Sequence, residues 1–484
     1  MHFPVPLEVK TVAEGLRKEG YEAYLVGGCV RDLLLHRAPK DWDITTNAKP
    51  EDIQRIFPES FYENDFGTVG VKTESEDPSL TVTEVTTFRT ETGYSDKRHP
   101  DEIKFATKLQ DDLQRRDFTM NAIAMDGAGA IVDPYEGQKD IAHKIIRAVG
   151  DPEARFSEDA LRMLRAVRFA STLGFKIEEK TLEEIKAHAH HLKHISAERI
   201  RDEFLKLIAG DHAAQAIEIL RETELLEEIM PELLEGVGVT QNLHHIYTVW
   251  EHNVRSLKYT CEKNYSLEVR LAALMHDIGK PRAKRGEGYN STFYGHDVIG
   301  ARMTKEIGKR LKFPQDLTDR LTKMVRYHMF YYLPDEVTES SVRRLVANIG
   351  RENVEDLLKL READRIGSGT PKAIPYKLRH LKFMIDKVAR DPISPKMLKV
   401  NGNDIMKLLA IPPGPKVGMI MNALMEEVLE DPEKNTKKYL EFRTGELSVM
   451  SEKELSELAK QGKLKTAELE EEEVGKIKAK HFVK

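Results

Sequence analysis

Cysteine is scarce: Cys29 and Cys261 are the only two in 484 residues. They lie far apart in the chain, so they offer neither a disulfide framework nor the spacing of a zinc site, and they fit a reducing cytoplasm. Long apolar runs are missing too. None approaches the ~20 residues that span a bilayer, so no membrane-spanning helix is expected. The opening MHFPVPLEVK has no charged segment followed by an apolar one, so no signal peptide is expected. There is no excess of positive charge; the net value is −6. As a global sum this counts slightly against a nucleic-acid binder. Binding needs only a local basic surface, however, so a basic track within an acidic shell is the expectation if RNA is the partner. No short internal repeat is present.

What the chain does have is length and charge. Its 484 residues, 40% hydrophobic and 32% charged, predict a soluble, helix-rich protein of roughly two to four domains. Strand-like and helix-like segments mix over the first 150 residues or so. Phe66–Lys72, Leu80–Arg89 and Ile103–Phe105 read as strands, and Met120–Met125 and Ala130–Val132 as short strands or strand–helix edges. After Gly150 the apolar spacing becomes three to four, predicting helices over Phe156–Leu173, Glu178–His188, Ala197–Leu207 and Ala213–Thr223. A break near Pro231 precedes a helical block from Thr248 to Gly367. The segment from Pro375 to Leu447 contains the turn IPPGPKVG, and the tail beyond Ser448 is charged and helical or partly disordered.

The most informative stretch is YLVGGCVRDLLLHRAPKDWDITT. Tyr24–Val26 reads as a buried strand, Gly27–Gly28 as a tight turn and Val30–Leu35 as the start of a helix. Free N–H groups at such a turn suit a phosphate chain. Asp41 and Asp43 are expected on a second strand with their carboxylates on one face and Trp42 on the other. Two hard oxygen ligands facing a phosphate site suggest Mg²⁺, as a pair of ions. A lone glycine pair is usually only a turn, and a lone Asp-x-Asp usually a solvated strand end. Their ordered combination with Arg31-Asp32 and Pro39 favours chemistry.

Here the chain resembles the nucleotidyltransferases of the DNA polymerase beta superfamily. More narrowly it resembles the bacterial class II tRNA nucleotidyltransferases, the CCA-adding enzymes and their poly(A) polymerase relatives. DLQRRDFTMNAIAMD, from Asp112 to Asp126, carries Arg115 and Arg116 as cationic forks suited to phosphate, with Asp117 and Asn121 able to bond a ribose. It resembles the family segment that binds the nucleotide's sugar and phosphates. Asp133 to Asp140 resembles a hinge-like D-x-x-x-G-x-x-D between catalytic and helical domains. Phe88 to Phe105 resembles the flexible loop of enzymes that add A, and its length argues against addition of C alone. Glu84 and Asp112 are both candidates for a third acid near the metals.

SEDALRMLRAVRFA, from Ser157 to Ala170, is the second strong signal. Ser157 is a plausible N-cap, with Glu158-Asp159 at the positive end of the helix. Asp159, Arg162, Arg165 and Arg168 recur every three residues as a slowly turning polar stripe, while Leu161, Leu164 and Phe169 pack elsewhere. Taken alone this is most often an exposed, salt-bridged helix. Read functionally, a carboxylate accepts from an exocyclic amine and a guanidinium donates to a ring nitrogen. One such pair accepts C and A and disfavours U and G. The segment resembles the family's EDxxR motif, a protein template. That resemblance implies that Asp159 and Arg162 read the base while Arg165 and Arg168 hold the triphosphate.

The helical half holds a separate set of ligand-type residues. His252, His276-Asp277 and Asp364 occur in the order H…HD…D, with His296 and His328 between, and LMHDIGKP resembles the HD phosphohydrolase superfamily. Imidazole and carboxylate ligands suit a transition metal or Mg²⁺, and His296 and His328 are candidates for a second ion. A metal-bound water there would attack a phosphate ester. His244 and His245 read as loop or surface residues.

The resemblance implies an α+β fold, a small polymerase beta-like mixed-sheet head followed by a long all-α body containing an HD domain. The expected domains are 1–150 (catalytic head), 151–235 (helical base-recognition neck), 236–370 (HD), 371–447 (tRNA-binding body) and 448–484 (charged tail). The implied activity is template-independent addition of CCA to tRNA from CTP and ATP, with Mg²⁺ at Asp41 and Asp43 and with Gly27, Gly28, Arg31 and Arg116 gripping the nucleotide. The expected partner is tRNA, held by its acceptor stem and 3′ end, with no membrane and no inferable protein partner, in the cytoplasm. Three alternatives stay open: A-adding or poly(A) polymerase activity on the same scaffold, an HD hydrolase as the main activity, and a non-catalytic RNA-binding protein.

Overall fold

The computed structural model describes residues 3–64, 67–92, 102–242, 246–330, 332–334, 336–389 and 397–483. They form two compact units, one of Met1–Met329 with Glu355–Ala373 and one of Phe330–Val354 with Ile374–Lys484.

The first unit opens with a mixed sheet. Its strands are β1 (Ala23–Val26), β2 (Asp43–Thr46), β3 (Ser60–Asn64), β4 (Thr68–Lys72), β5 (Val82–Thr87), β6 (Arg89–Thr92), β7 (Glu102–Phe105), β8 (Ala124–Met125) and β9 (Ile131–Val132). Seven of them lie side by side in the order β3-β4-β5-β2-β1-β8-β9, and β6 and β7 pair separately. β1 runs antiparallel to β2 and β8, while β2 runs parallel to β5. The expected strands are present with shifted ends, and Leu80–Arg89 holds parts of two. The hairpin strand β3 lacks a clear alternating pattern and was not foreseen. Phe66, the loop tip at 93–101 and the pair His244–His245 lie outside the described residues.

Alternation along β2 sets the site. Ile44 is fully buried, as is its neighbour Val85 on β5. Asp43 and Thr45 take the opposite face, because successive strand side chains alternate. Asp41 does not lie on this strand, contrary to expectation. β2 begins at Asp43, and Asp41 sits in the bend before it, exposed, while Trp42 is buried as expected. The run after Pro39 carries Lys40 and Asp41 in the open before the ladder begins, so the strand cannot extend back to them.

The segment from Asp133 to Asp140 is knit into the head. Asp133 accepts from the N–H groups of Gly137 (2.8 Å) and Gln138 (2.9 Å), satisfying free donors at the start of the helix Gly137–His143. A Cβ on Gly137 would fall 2.2 Å from the Thr119 carbonyl oxygen. Close packing, not a bend, therefore demands glycine here.

Beyond Gly150 the first unit is almost wholly helical. The predicted helix Phe156–Leu173 is two helices, Pro152–Glu158 and Leu161–Leu173, interrupted at Asp159 with φ −138° and ψ 104°. Ser157 is therefore inside the last turn of the first helix and caps nothing. The interruption lets the Asp159 carboxylate accept the Leu161 N–H at 3.0 Å, a local bond that competes with helix. Thr248 and Glu251 form a reciprocal capping box before the helix Val249–Glu262, which fixes the turn that bears His252.

The second unit is helical throughout its described residues. Its core is built from Val400, Ile405, Ile420, Leu424, Leu440, Leu447 and Leu455. The turn around Ile411–Gly414 separates the helices Gly402–Leu409 and Pro415–Glu430, and the tail forms the helix Glu452–Lys480. No helix among the described residues is long and apolar enough to cross a membrane.

Candidate active site and candidate metal centre

The outer face of β2 and β5 carries an acidic pair whose second member the sequence left open between Glu84 and Asp112. Asp43 and Glu84 are partners in the parallel register, so their side chains share a face. Glu84 is exposed and Asp43 half-buried. Thr45, two residues along the same face, donates to Asp112 Oδ2 at 3.2 Å. Asp112 is fully buried and receives Arg115 Nη2 at 2.6 Å and Arg116 Nη2 at 3.3 Å. Burial opposes charge on Asp112, but the two guanidiniums outweigh it and hold its carboxyl below the usual range. Of the two candidate third acids, Asp112 is thus consumed by the protein's own cations, and Glu84 stands beside Asp43.

Gly27 joins this face to the turn. Its φ is +78°, a region that L side chains rarely adopt. A Cβ there would lie 2.8 Å from Arg116 Nη1 and 3.7 Å from Asp43 Oδ2. Glycine is required for backbone conformation and for space at once. The acid, the glycine turn and the arginine meet in one place, as the ordered motif implied.

The other motif residues form a chain of polar contacts. Arg31 Nη1 donates to Asn121 Oδ1 at 2.8 Å, and Asn121 Nδ2 to Asp117 Oδ1 at 3.0 Å. Asp117 Oδ1 also accepts the Phe118 N–H at 2.8 Å, and Oδ2 accepts Arg165 Nε at 2.9 Å and Nη2 at 2.7 Å. A carboxylate offers about four lone-pair sites, so Asp117 is fully occupied and has none left for a ribose. Burial works against its charge, yet Arg165 and Asn121 keep its pKa well below the ordinary value.

Four partnerships here escaped sequence reasoning. Glu203 binds Arg168 Nε at 2.9 Å and lies 3.8 Å from Arg165. Phe169 packs beneath the polar stripe, not away from it; the guanidinium carbons of Arg168, Arg31 and Arg165 lie 3.8, 5.1 and 5.6 Å from its ring centre. Glu158 holds Arg162 Nη1 at 2.5 Å, and Arg162 Nη2 reaches the Arg115 carbonyl at 3.0 Å. Asp159 pairs with Arg199 at 2.9 Å. Asp159 and Arg162 are thus each held by a partner of their own. No local pattern flags Glu203 or Arg199, which come from a helix some thirty to forty residues further on.

The second cluster is built at helix ends. His276 and His328 directly follow the helices Leu267–Met275 and Gln315–Tyr327, and His296 opens the helix His296–Arg310. Their Nδ1 atoms donate to the carbonyls of Ala273 (2.8 Å), Val325 (2.7 Å) and Phe293 (2.8 Å). Each bond selects the tautomer whose Nε2 lone pair points into the cluster, as metal-binding histidines require. For two of them it also satisfies a carbonyl left over at a helix end.

His252 Nε2 lies 2.9 Å from His276 Nε2, 3.2 Å from Asp277 Oδ2 and 3.4 Å from Asp364 Oδ1. Asp277 Oδ1 lies 3.3 Å from His296 Nε2 and 3.4 Å from His328 Nε2. Ligands bound at about 2.1 Å stand about 3.0–3.4 Å apart around an ion. Five of the six expected residues therefore form two donor groups that share Asp277, and Asp364 adjoins the first of them. Burial disfavours charge on His252, but Asp277 and Asp364 lift its pKa to about 9, a sign of carboxylates in need of positive charge. A cleft of about 550 Å³ opens on the cluster, and Lys280, Arg361 and Arg365 line it. Lys280 reaches Asp277 Oδ2 at 2.5 Å and Gln241 at 2.6 Å, and Arg361 pairs closely with Asp364.

Three family patterns match the chain: "Poly A polymerase head domain" over 23–147, "Probable RNA and SrmB- binding site of polymerase A" over 174–236, and "HD domain" over 249–366. The solved structure of the Bacillus stearothermophilus CCA-adding enzyme in complex with CTP is 30% identical, with a TM-score of 0.55 over 91% of this chain and 96% of that one. The chain belongs to the CCA-adding enzyme family. The Lactobacillus helveticus CCA-adding enzyme is 51% identical over 224 residues, 46% of this chain and 55% of that protein. A Geobacillus CCA-adding enzyme is 50% identical over 215 residues. The chain thus spans about half the length of the curated CCA-adding relatives it matches. The Thermotoga maritima CCA-adding enzyme complexed with tRNA, 19% identical with a TM-score of 0.54, shares the fold. Within this family the mixed-sheet head and helical body are as the motifs implied, and an HD domain is present.

Proposed function

We propose that this chain adds the terminal CCA to tRNA from CTP and ATP without a nucleic-acid template. The observation that carries the reading is the common face on which Asp43 and Glu84 stand beside Gly27 and Arg116. There the 3′ hydroxyl of tRNA attacks the α-phosphate in line, the new ester forms, and pyrophosphate leaves. Asp41 and Asp43, with Glu84 in register, are the residues that would hold Mg²⁺. Half-exposed oxygen donors fit that ion, which keeps its waters and shares substrate phosphates. When bound, it would activate the hydroxyl and stabilise the leaving group.

Arg31, Arg116, Arg165 and Arg168 supply positive charge for the triphosphate, and Arg115 backs Arg116 through Asp112. Asp117 and Asn121 act from behind, holding Arg31 and Arg165 in place. Gly27 and Gly28 leave room for the phosphates. Asp159 and Arg162 read the base, and the acceptor stem is held by shape and backbone contacts. Two unpaired cysteines accord with a cytoplasmic location.

The HD cluster supports a second, separate activity, metal-dependent hydrolysis of a phosphate ester. Its lining cations Lys280, Arg361 and Arg365 suit that substrate class.

The test is incubation of the purified full chain with CTP, ATP and tRNA ending at the discriminator base. Ordered addition of C, C and A is expected. Addition of A alone, and only to tRNA already ending in CC, assigns the A-adding activity. A long A tail assigns poly(A) synthesis. Binding of tRNA with no incorporation overturns the polymerising role.

A further inference from the structure

Asp159 has an unusual setting for a base reader. It sits in the extended break between two helices, so its backbone belongs to neither. One carboxylate oxygen, Oδ1, accepts the Leu161 N–H at 3.0 Å. Arg199 then approaches both oxygens in a fork, Nη2 to Oδ2 at 2.9 Å and Nη1 to Oδ1 at 3.5 Å. Arg199 lies in the first turn of the helix Ala197–Ala209, which packs along the helix Leu161–Leu173 and buries Ile200, Phe204, Leu207 and Ile208. That packing fixes where the guanidinium stands.

We infer that Arg199 is a positioning residue for base selection, aiming the Asp159 carboxylate so that one acceptor direction on Oδ2 faces the incoming base. The inference rests on the reading of Asp159 and Arg162 as the base readers. A carboxylate has about four acceptor directions; Leu161 and Arg199 take three, all from the protein side. The one left receives the exocyclic amine of cytosine or adenine and repels the carbonyl oxygen that uracil or guanine presents there. Selection by repulsion depends on the carboxylate being unable to turn away. The Leu161 bond alone leaves rotation about the carboxyl's own bond, and the two-pronged contact with Arg199 removes it. Arg162 is held in the same manner by Glu158 and by the Arg115 carbonyl, so both halves of the reader are oriented before a nucleotide arrives.

The experiment measures kcat and KM of the full-length protein for CTP and UTP, with tRNA ending at the discriminator base. The variants are Arg199→Ala, Arg199→Lys, Asp159→Ala and the Arg199→Ala/Asp159→Ala double variant. Arg199→Ala should lower the preference for CTP over UTP by about 10-fold or more, chiefly by raising KM for CTP. Arg199→Lys keeps the charge but loses the fork, and should fall between it and the parent. The double variant should be no less selective than Asp159→Ala, since the arginine acts only through the carboxylate. An unchanged CTP preference in Arg199→Ala, or in Arg199→Lys should the alanine variant not fold, alongside lost preference in Asp159→Ala overturns the inference and leaves the base-reading role standing. A lower KM for CTP in Arg199→Ala also overturns it, by making Arg199 a competitor of the base. Unchanged preference in Asp159→Ala overturns the base-reading role itself, and this inference with it.

Discussion

The head and the HD cluster, both in the first unit, use carboxylates in opposite ways. In the head, Asp41 and Glu84 are exposed and Asp43 is half-buried, while the buried acids Asp112 and Asp117, with Glu203 from a later helix, are spent on holding arginines. In the HD cluster Asp277 and Asp364 are buried and face imidazoles directly. A buried carboxylate needs a positive partner in place at all times. On the function proposed above, the HD cluster is a prebuilt socket for a resident ion. On the same reading, the head's acids meet an ion that arrives with its nucleotide, and its buried acids serve to orient cations. One region would then be organised around a metal, the other around a triphosphate.

The sharpest way to break this comparison is Asp43→Ala. Incorporation should fall by about 10³-fold or more, with tRNA affinity near that of the parent in a filter-binding assay. Comparable incorporation by the variant would remove the head from the chemistry.

On the HD side, Asp277→Ala should release all bound transition metal, because both donor groups lose their shared carboxylate. His328→Ala should halve the metal content and no more. Metal analysis of the purified variants reads this directly, and CCA addition should change by less than about threefold in either. Equal metal loss in both variants would mean a single ion.

A smaller effect concerns acid stability. Asp112 and Asp117 are held below the ordinary carboxyl range by their arginines. Their contribution is complete above the unfolded value of ~4 and is lost as pH falls through the lower native values. The parent should therefore lose stability steadily below about pH 4. Asp117→Asn should cost about 3 kcal/mol at neutral pH, since it strands Arg165, and should flatten the acid limb. Urea titrations at several pH values measure both.

The least disruptive test is Gly27→Ala. The strained φ and the contact with Arg116 should cost about 1–2 kcal/mol and raise KM for the nucleotide by displacing the guanidinium. Unaltered KM would separate the glycine turn from nucleotide binding.

How far these sites were legible varies residue by residue. The H…HD…D order, with His296 and His328 between, pointed to six residues that the fold brings together, because helix periodicity and residue chemistry survive in a linear string. The glycine turn and Asp43 were legible for the same reason. The break at Asp159 was not, since the surrounding apolar spacing continues through it and a single side-chain bond decides it. Asp112 and Glu84 were indistinguishable as third acids until strand register placed one beside Asp43 and buried the other under Thr45. Phe169 is buried, as its apolar character suggested, and is also a platform for three guanidiniums.

Residue order by itself determined which chemical groups exist and which short elements carry them: a glycine bend, paired acids, arginines at helical spacing and histidines beside helix ends. Those follow from local backbone preference and side-chain type. Tertiary structure decided which groups meet, through Glu203 and Arg199 from a later helix, Glu84 from a parallel neighbour and Asp364 from far along the chain. Such pairings depend on burial and on contacts distant in sequence, and electrostatics in a desolvated site is set by neighbours in space.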